Sequence, residues 1–448
     1  QSFPLSTNRA AQHHGPDRNP IIAIPGILGS KLVQTPGHKV AWGAFECGAA
    51  NPENPDDARL IALPIREGPF ASLVDDVEPG GVLDRIRIRL LGVEIDIQAY
   101  AGILATLGAG GYRDSALGLG GKVDYGDDHY TCFQFDYDWR RDNVENAKRL
   151  HRFIEEKRAY VRAEYLRRFG VDNPDIKFDI VAHSMGGLLT RYFLMYGSQD
   201  LTEDGSLPEL DWAGANYVER AILVGTPNAG SLDSLFQLVE GKRICPLLPY
   251  YPSSLLATFP SVYQLLPRSR HHAALWDGDP DQPIDDLLNP ALWERMGWGL
   301  LAEDQAPMLE VLMPDVADAA TRRRVAESFQ TQALERARAF QAALDRPATT
   351  PHGLELFLVA GDSEGTVASV AVARDSGALT LLDTGPGDGV VLRSSVLLDE
   401  RAGDPWQAYV QTPLDYAGTL LLPATHLGLT NNPVFRDNVL YWLLEDPR

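Results

Sequence analysis

Ser184 stands in "VAHSMGG" (181–187), between an apolar run and a helical pattern that starts at Met185. A serine hydroxyl attacks a carbonyl at neutral pH only when a base removes its proton and an acid orients that base. A sharp turn from strand to helix would expose the hydroxyl, and small flanking residues permit such a turn. Ala182 stands where this turn usually has glycine, so an inert serine in an ordinary turn is the alternative interpretation.

The candidate bases are the histidines after Ser184, because nucleophile, acid and base follow in that order in α/β-hydrolases. Three of them, at 271, 272 and 352, lie within or beside a predicted cap. Only His426 lies in a loop between the last predicted strand and a closing helix, where that fold supplies its base. His183 lies inside the turn itself, and we expect its side chain to point away from the site. His426 is therefore the predicted base.

Two aspartates are candidates for the acid. Asp362 in "LFLVAGDSEG" directly follows a predicted strand, as the acid does in the general fold. Asp388 in "TGPGDGVVLRSS" lies in a glycine-rich turn that precedes a predicted helix. Either could orient an imidazole, and either could instead be an ordinary turn or cap residue. Spacing alone leaves both candidates open.

The oxyanion of an acyl-transfer reaction needs two donors, usually backbone N–H groups. One is expected from Met185, the residue after the nucleophile, and the other from a loop after an early strand. "PGILGSKL" (25–32) provides such a loop, with Ile27 as the first residue past its Pro-Gly turn. An ordinary turn at the end of a strand is the alternative interpretation.

Strand-like apolar runs alternate with helical patterns over much of the chain, which predicts a mainly parallel sheet. The predicted core strands lie within residues 20–26, 129–139, 176–184, 218–227, 354–361 and 418–429. Helical spacing over 146–170 ends in a glycine suited to a C-cap, and Asn432 and Pro433 are suited to open a last helix. We therefore expect an α/β-hydrolase fold: a mainly parallel sheet with helices on both faces, a helical cap and a lid-like insertion.

The predicted core comprises residues 15–230 and 351–448, with a turn-rich, lid-like insertion at about 36–100. Residues 231–350 are rich in proline, aromatics and leucine and show little strand pattern, which predicts the helical cap. A hairpin is expected over 367–383, turning at residues 374–377.

The formal net charge of −21 argues against a nucleic-acid partner, which would require a basic face. It also argues against electrostatic docking on an anionic membrane, although a local apolar surface could bind lipid transiently. No window of eighteen successive apolar residues is present, so we expect a soluble protein. The sequence starts at Gln1 rather than at an initiator methionine, which slightly favours export over a trimmed chain.

No cofactor is expected. Cys47, Cys132 and Cys245 include no CxxC pair, so a thiolate metal site is not predicted, and at most one disulfide is available. "GLGGK" (118–122) lacks the spacing and the following Ser or Thr of a phosphate-binding loop. An ordinary turn is the favoured interpretation of that segment.

Together these motifs resemble the lecithin:cholesterol acyltransferase and lysosomal phospholipase A family of α/β-hydrolases, of which bacterial members are known. The similar segments are "IPGILGSKL" (24–32), "AW" (41–42), "FDYDWRRD" (135–142), "IVAHSMGGLLTRYFL" (180–194), "VGTPNAGS" (224–231), "FPSVYQLLP" (259–267), "GDGVV" (387–391) and "THLGL" (425–429). Each is weakly specific alone, but their shared order makes the resemblance specific. The insertion and the rest of the cap match poorly.

The resemblance selects one of the two acids. The family's catalytic aspartate lies in a G-D-G-T-V turn before a helix, which Asp388 matches with Val390 in place of threonine. Asp362 falls where the family has no acid. The other roles that the resemblance implies are nucleophile Ser184, base His426, and oxyanion donors Ile27 and Met185.

Two further features follow from the resemblance. Trp42 matches an aromatic residue of the family's lid that is associated with lipid contact, and "YDWR" (137–140) is a family hallmark for which we expect packing under the site. Animal members close the lid with a local disulfide, whereas Cys47 has no other cysteine before Cys132. The family's mode of membrane binding therefore does not transfer directly.

The resulting hypothesis is a serine acyl hydrolase of the esterase, lipase or phospholipase kind, acting on carboxylic esters of lipid-like substrates. The alternatives are an acyltransferase that passes the acyl group to an alcohol, a peptidase or thioesterase with the same triad, and, remotely, a non-catalytic binding protein. The expected partners are an ester or lipid substrate and, through the lid or cap, a lipid surface.

Overall fold

The computed structural model describes residues 5–45, 48–90, 93–98, 100–117, 129–244, 246, 248–403 and 405–448. Cys47, Cys245 and the "GLGGK" segment lie outside these residues, so the predictions about them stay predictions. Cys132 lies within them and carries a free, buried thiol. Among the described residues, no helix is both long and apolar enough to cross a membrane.

The secondary structure alternates between strands and helices through most of the chain. The helices are α1 Leu5–Gln12, α2 Pro55–Ile61, α3 Ala101–Ala109, α4 Asn143–Phe169, α5 Gly186–Tyr196, α6 Leu232–Glu240, α7 Ser253–Leu256, α8 Pro260–Gln264, α9 Pro290–Met296, α10 Ala306–Leu312, α11 Ala319–Asp345, α12 Arg393–Val396 and α13 Pro433–Leu444. The strands are β1 Ile21–Ile24, β2 Ser30–Gln34, β3 Val40–Trp42, β4 Ala44–Phe45, β5 Val77–Val82, β6 Arg85–Leu90, β7 Val93–Gln98, β8 Cys132–Gln134, β9 Phe178–His183, β10 Val218–Val224, β11 Lys242–Arg243, β12 Tyr250–Tyr251, β13 Ala274–Trp276, β14 Asp279–Pro283, β15 Glu355–Gly361, β16 Glu364–Val372, β17 Leu379–Gly387 and β18 Gly418–Leu422.

A six-stranded sheet in the order β18-β15-β10-β9-β1-β8 forms the centre of the fold. Every pair of neighbouring strands in it is parallel. Because side chains alternate along a strand, Ile22 and Ile24 of β1 join the core that contains α4 and α5. Ile21 and Ala23 join the opposite core, which contains residues of α3 and α13. Helices thus cover both faces, which confirms the predicted fold class.

Helix ends follow the signals in the sequence. The Asp142 side chain accepts from the Val144 amide at the start of α4, and Gly170 ends that helix in the left-handed conformation. The Asn432 side chain accepts from the Val434 amide at the start of α13. These caps confirm the predicted glycine stop and asparagine start, although α4 begins at residue 143 rather than 146.

The predicted hairpin is present as β16 and β17, which pair antiparallel around the turn between Val372 and Leu379. It is longer than expected, because β17 continues to Gly387. This extension brings the chain back to the edge of the central sheet, where Asp388 follows directly.

The insertion at 36–100 is more ordered than a turn-rich loop, since it contains α2 and the strands β3 to β7. Arg140 of the "YDWR" segment joins it to the core. Its fully buried guanidinium pairs with Asp75 at 2.7 Å and Asp138 at 2.8 Å, and donates to the carbonyls of Ile61 at 2.9 Å and Ala62 at 3.3 Å. Separating the insertion from the core would leave this buried cation without its partners, which would strongly destabilise the fold. The contacts of Arg140 therefore fix the insertion in place.

The segment 231–350 is mainly helical, with α6 to α11, but it also contains four short strands. One of them, β13, pairs in parallel with β16 of the hairpin. The division into a core and a separate cap stays a prediction.

Candidate active site

Ser184 lies in a tight turn between β9 and α5, at the carboxyl edge of the central sheet. Its φ of 53° is in the left-handed region, which costs free energy for any residue other than glycine. The turn is packed closely: a Cβ on Gly186 would lie 2.4 Å from the Pro25 carbonyl oxygen, and one on Gly187 would lie 2.0 Å from Thr226 Oγ1. Ala182, by contrast, is an ordinary buried strand residue, so this position tolerates a methyl group.

His426 lies between Ser184 and Asp388. Its Nε2 is 2.9 Å from Ser184 Oγ, and its Nδ1 is 2.7 Å from Asp388 Oδ2. A carboxylate can only accept, so Nδ1 carries the ring proton and Nε2 presents its lone pair to the serine hydroxyl. The structure therefore brings together the three residues whose types and order the sequence singled out.

Asp388 is held by its own turn. Its Oδ1 accepts from the amides of Val390 at 3.0 Å and Val391 at 2.7 Å. Burial raises the pKa of the Asp388 carboxyl, but the neighbouring His426 and the two amides outweigh this effect and keep the pKa below its ordinary value. The group is therefore an anion at neutral pH.

Asp362, the other candidate acid, makes no hydrogen bond to His426. Its backbone amide donates to the Leu422 carbonyl, which ties it to β18. The preceding Gly361 lies against Asp388, where an added Cβ would be 2.5 Å from the Asp388 Cβ. The hairpin thus carries Asp388 back over the end of β15 and into reach of His426, a path that strand order alone does not reveal.

The loop after β1, residues 25–30, passes close to Ser184. A Cβ on Gly26 would lie 2.7 Å from the Ser184 Cβ, so only glycine permits this approach. The Gly29 amide donates to the Gly26 carbonyl at 3.1 Å, which fixes the peptide unit whose N–H belongs to Ile27. Neither the Ile27 amide nor the Met185 amide donates to another group of the described chain. Both remain candidate oxyanion donors.

Aromatic side chains hold the carbonyls of this loop. Tyr137 Oη donates to the Pro25 carbonyl at 2.8 Å, and Trp139 Nε1 to the Ser30 carbonyl at 3.0 Å. Trp42 Nε1 donates to the Leu28 carbonyl at 2.8 Å. "YDWR" therefore does more than pack under the site, since two of its side chains orient the backbone that carries Ile27.

Trp42 is buried, with only 3% of its surface exposed. Its ring packs edge-on against Trp139 and Tyr251, with centroid separations of 5.7 and 5.8 Å. The indole thus lies beneath the loop at 25–30, and its predicted contact with substrate stays a prediction.

The expectation that His183 points away from the site is wrong. Its buried ring lies 4.7 Å from that of His426, and its Nε2 is 2.9 Å from the His426 carbonyl oxygen. The opposite ring nitrogen, Nδ1, is 3.1 Å from the hydroxyl of Tyr100. The alternation of side chains along a strand favours the wrong expectation, because it places neighbouring residues on opposite faces, and nothing in the sequence marks Tyr100.

No group of three or more His, Cys, Asp or Glu residues that could hold a metal is present among the described residues. A cavity of about 500 Å³ borders the turn at 387–392 that carries Asp388 (the acid turn). It is lined there by Val390 and Leu392 and continues past Arg393 and Leu421. Neither Ser184 nor His426 lines it.

The family model described as lecithin:cholesterol acyltransferase matches residues 123–289, which include Ser184. No functionally curated protein matches the chain. Among solved structures, a chain of the Tle4-Tli4 complex is 14% identical, covers 96% of this chain and 98% of its own length, and superposes with a TM-score of 0.56.

Two further solved structures are more distant. The mature lipase BlEst2 of Bacillus licheniformis is 13% identical, with 97% of this chain and 94% of that chain covered and a TM-score of 0.32. EstA from Clostridium botulinum is 12% identical, with 100% and 92% covered and a TM-score of 0.36. At these identities the structural likeness shows the fold alone, which the first structure and the parallel sheet itself establish. The chain has an α/β-hydrolase fold, and its residues 123–289 match the family model described as lecithin:cholesterol acyltransferase.

Proposed function

We propose that this protein is a serine acyl hydrolase that cleaves carboxylic esters of lipid-like substrates. The observation that carries the proposal is the position of His426, hydrogen-bonded to Ser184 at 2.9 Å on one side and to Asp388 at 2.7 Å on the other. This is the arrangement that activates a serine for acyl transfer.

The proposed reaction has two halves. His426 Nε2 takes the proton from Ser184 as Oγ attacks the ester carbonyl, while Asp388 holds the ring and stabilises the imidazolium. The amides of Ile27 and Met185 donate to the oxyanion. His426 then returns the proton to the leaving alcohol, and the acyl group remains on Oγ. Water repeats the sequence with the same base and releases the carboxylic acid.

The lipid-like substrate is inferred from the comparisons rather than from a pocket. The matching family model is named for a reaction of lecithin and cholesterol. The ester or lipid substrate, the transient lipid-surface contact and the lack of a nucleic-acid partner are hypotheses about this chain. The structurally similar chain was solved in the Tle4-Tli4 complex, so a protein partner is a further hypothesis.

Acyl transfer to an alcohol is the second candidate function, because the matching family is described as an acyltransferase. Both reactions share the acyl-enzyme and differ only in what attacks it. Incubation of an ester substrate with an added long-chain alcohol separates the two: free acid alone indicates a hydrolase, and a new ester indicates transfer.

A fluorophosphonate probe tests the proposal, since it reacts only with an activated serine. We expect labelling of the folded wild-type protein at Ser184, with none in Ser184→Ala. Ser184→Ala and His426→Ala should each lower kcat by at least about 10⁴-fold, and the double variant should be no worse than either.

Ser254→Ala is the matched control, because Ser254 is also buried but donates to Gln305 of the predicted cap. It should keep wild-type labelling. Failure of the folded wild-type protein to react would leave the non-catalytic binding protein as the better hypothesis.

A further inference from the structure

We propose that Tyr100 and His183 are positioning residues. They fix the loop at 25–30 (the oxyanion loop) relative to the loop between β18 and α13 that carries His426 (the base loop), on either side of Ser184. Two side chains outside the proposed triad connect Gly26, next to Ile27, with the backbone of His426. This inference rests on the proposed function, because the geometry that it explains is that of acyl transfer.

The groups at the two ends of this connection determine which atom donates in each of its hydrogen bonds. The His426 carbonyl oxygen can only accept, so His183 Nε2, at 2.9 Å, carries the ring proton. The Gly26 amide can only donate, and it donates to the Tyr100 hydroxyl oxygen at 2.8 Å. The Tyr100 hydroxyl, 3.1 Å from His183 Nδ1, must then donate to the lone pair of that nitrogen. Each ring nitrogen of His183 thus has one partner, and the Tyr100 hydroxyl has two.

This arrangement requires a neutral His183. Burial first, and the nearby His426 second, lower the pKa of His183 to about 3. The ring is therefore uncharged at neutral pH. A neutral neighbour 4.7 Å away adds no repulsion when His426 becomes an imidazolium.

The packing leaves little freedom to either residue. A Cβ on Gly29 would lie 2.7 Å from the Tyr100 ring and 2.8 Å from its hydroxyl, so the loop presses directly on the tyrosine. The Tyr100 and His183 rings contact edge-on, with centroids 5.4 Å apart. Ser184 follows His183 in the chain, so the imidazole is attached to the same short backbone segment that carries the nucleophile.

The expected signature is a loss of kcat with KM unchanged, since neither side chain is placed against the substrate. Misplacing a reacting group by about 1 Å costs about 100-fold. We expect His183→Ala to lower kcat by about 100-fold and Tyr100→Phe by about 10-fold, each measured per fluorophosphonate-reactive site. The double variant should equal His183→Ala within about twofold, because both changes break one connection.

Two conservative variants separate the two halves of the connection. His183→Gln keeps a donor near the position of Nε2, and His183→Asn keeps an acceptor near the position of Nδ1. Each should recover part of the kcat that His183→Ala loses, whereas a role in packing alone would be served as well by His183→Phe. Recovery by His183→Phe to the level of His183→Gln would overturn the inference.

Tyr196→Phe is the control for the loss of a buried hydroxyl, because Tyr196 donates to the Ala343 carbonyl at 2.6 Å, away from Gly26 and His426. It should retain wild-type kcat. If the wild-type protein reacts with the probe but Tyr100→Phe keeps full kcat, the inference fails and the proposed function stands. The same holds if the losses of kcat in Tyr100→Phe and His183→Ala multiply in the double variant. If the wild-type protein does not react, the proposed function itself fails.

Discussion

The acid turn and the oxyanion loop both present backbone and side-chain groups to His426 and Ser184, but they are stabilised differently. The acid turn is partly stabilised by its own residues: Asp388 accepts from Val390 and Val391, and its amide donates to the Val391 carbonyl at 3.1 Å. Other segments support it as well, through bonds from the Gly389 amide to Thr366 Oγ1 at 2.8 Å, from the Ser231 hydroxyl to the Val390 carbonyl at 2.6 Å and from the His426 amide to the Asp388 carbonyl at 2.9 Å.

The oxyanion loop depends on distant residues instead. Pro25, Leu28 and Ser30 each accept from an aromatic side chain, and Gly26 donates to another. These aromatic residues come from three separate parts of the chain: Trp42, Tyr100, Tyr137 and Trp139. A short turn whose own side chain accepts from its amides can be recognised from its sequence, whereas a loop held by distant aromatic side chains requires the fold to be known.

The largest effect is expected in the acid turn. Asparagine at 388 can still accept from the two valine amides, so Asp388→Asn should leave the turn folded while it removes the anion that holds the Nδ1 proton of His426. We expect kcat to fall by about 10⁴-fold with little change in thermal stability. Steady-state kinetics and thermal unfolding measure the two quantities.

Asp362→Asn is the matched control, because it makes the same change at the other candidate acid at the same edge of the sheet. It should keep kcat within about threefold of the wild-type value, since a substitution outside the core and outside buried hydrogen-bond networks usually has a small effect. A greater loss in Asp362→Asn than in Asp388→Asn would mean that the acid is wrongly assigned.

A smaller effect is expected from one brace of the oxyanion loop. Tyr137→Phe removes the donor to the Pro25 carbonyl and leaves that buried oxygen without its partner, which costs about 1–3 kcal/mol of stability. Because the loop keeps its other supports, kcat should fall by about 10-fold, less than the 10²–10³-fold expected for loss of an oxyanion donor itself.

Tyr263→Phe provides the comparison for that variant. Tyr263 is also fully buried and donates to the Ala257 carbonyl at 2.8 Å, but within the predicted cap. It should lose similar stability, measured by urea denaturation, without a change in kcat. Equal losses of kcat in both variants would show that the effect of Tyr137 is general destabilisation.

The same contrast explains what the sequence could predict. The turn at Ser184, the glycine-flanked Asp388 and the loop position of His426 are local patterns, and the structure places these three residues within hydrogen-bonding distance along the chain Ser184–His426–Asp388. The direction of His183 was predicted wrongly because it depends on Tyr100, which lies 83 residues away in sequence and carries no motif. The hydrogen bonds that "YDWR" donates to the oxyanion loop were missed for the same reason, since their acceptors are carbonyls of a distant segment.

Trp42 offers the subtlest comparison, because its predicted role and its observed position lead to different kinetics. If the indole braces the loop, Trp42→Phe removes the bond to the Leu28 carbonyl, and kcat should fall by about threefold with KM unchanged, since one neutral hydrogen bond contributes about 1 kcal/mol. If the indole contacts the acyl chain, KM should instead rise, and it should rise more for long esters than for short ones.

Trp293→Phe is the matched control for this measurement. Trp293 is fully buried and donates to the Leu287 carbonyl at 2.7 Å, within the predicted cap. It should change neither kcat nor KM. A chain-length-dependent rise in KM for Trp42→Phe, absent from Trp293→Phe, would assign Trp42 to the substrate; a pure loss of kcat would place it with Tyr137 among the supports of the oxyanion loop.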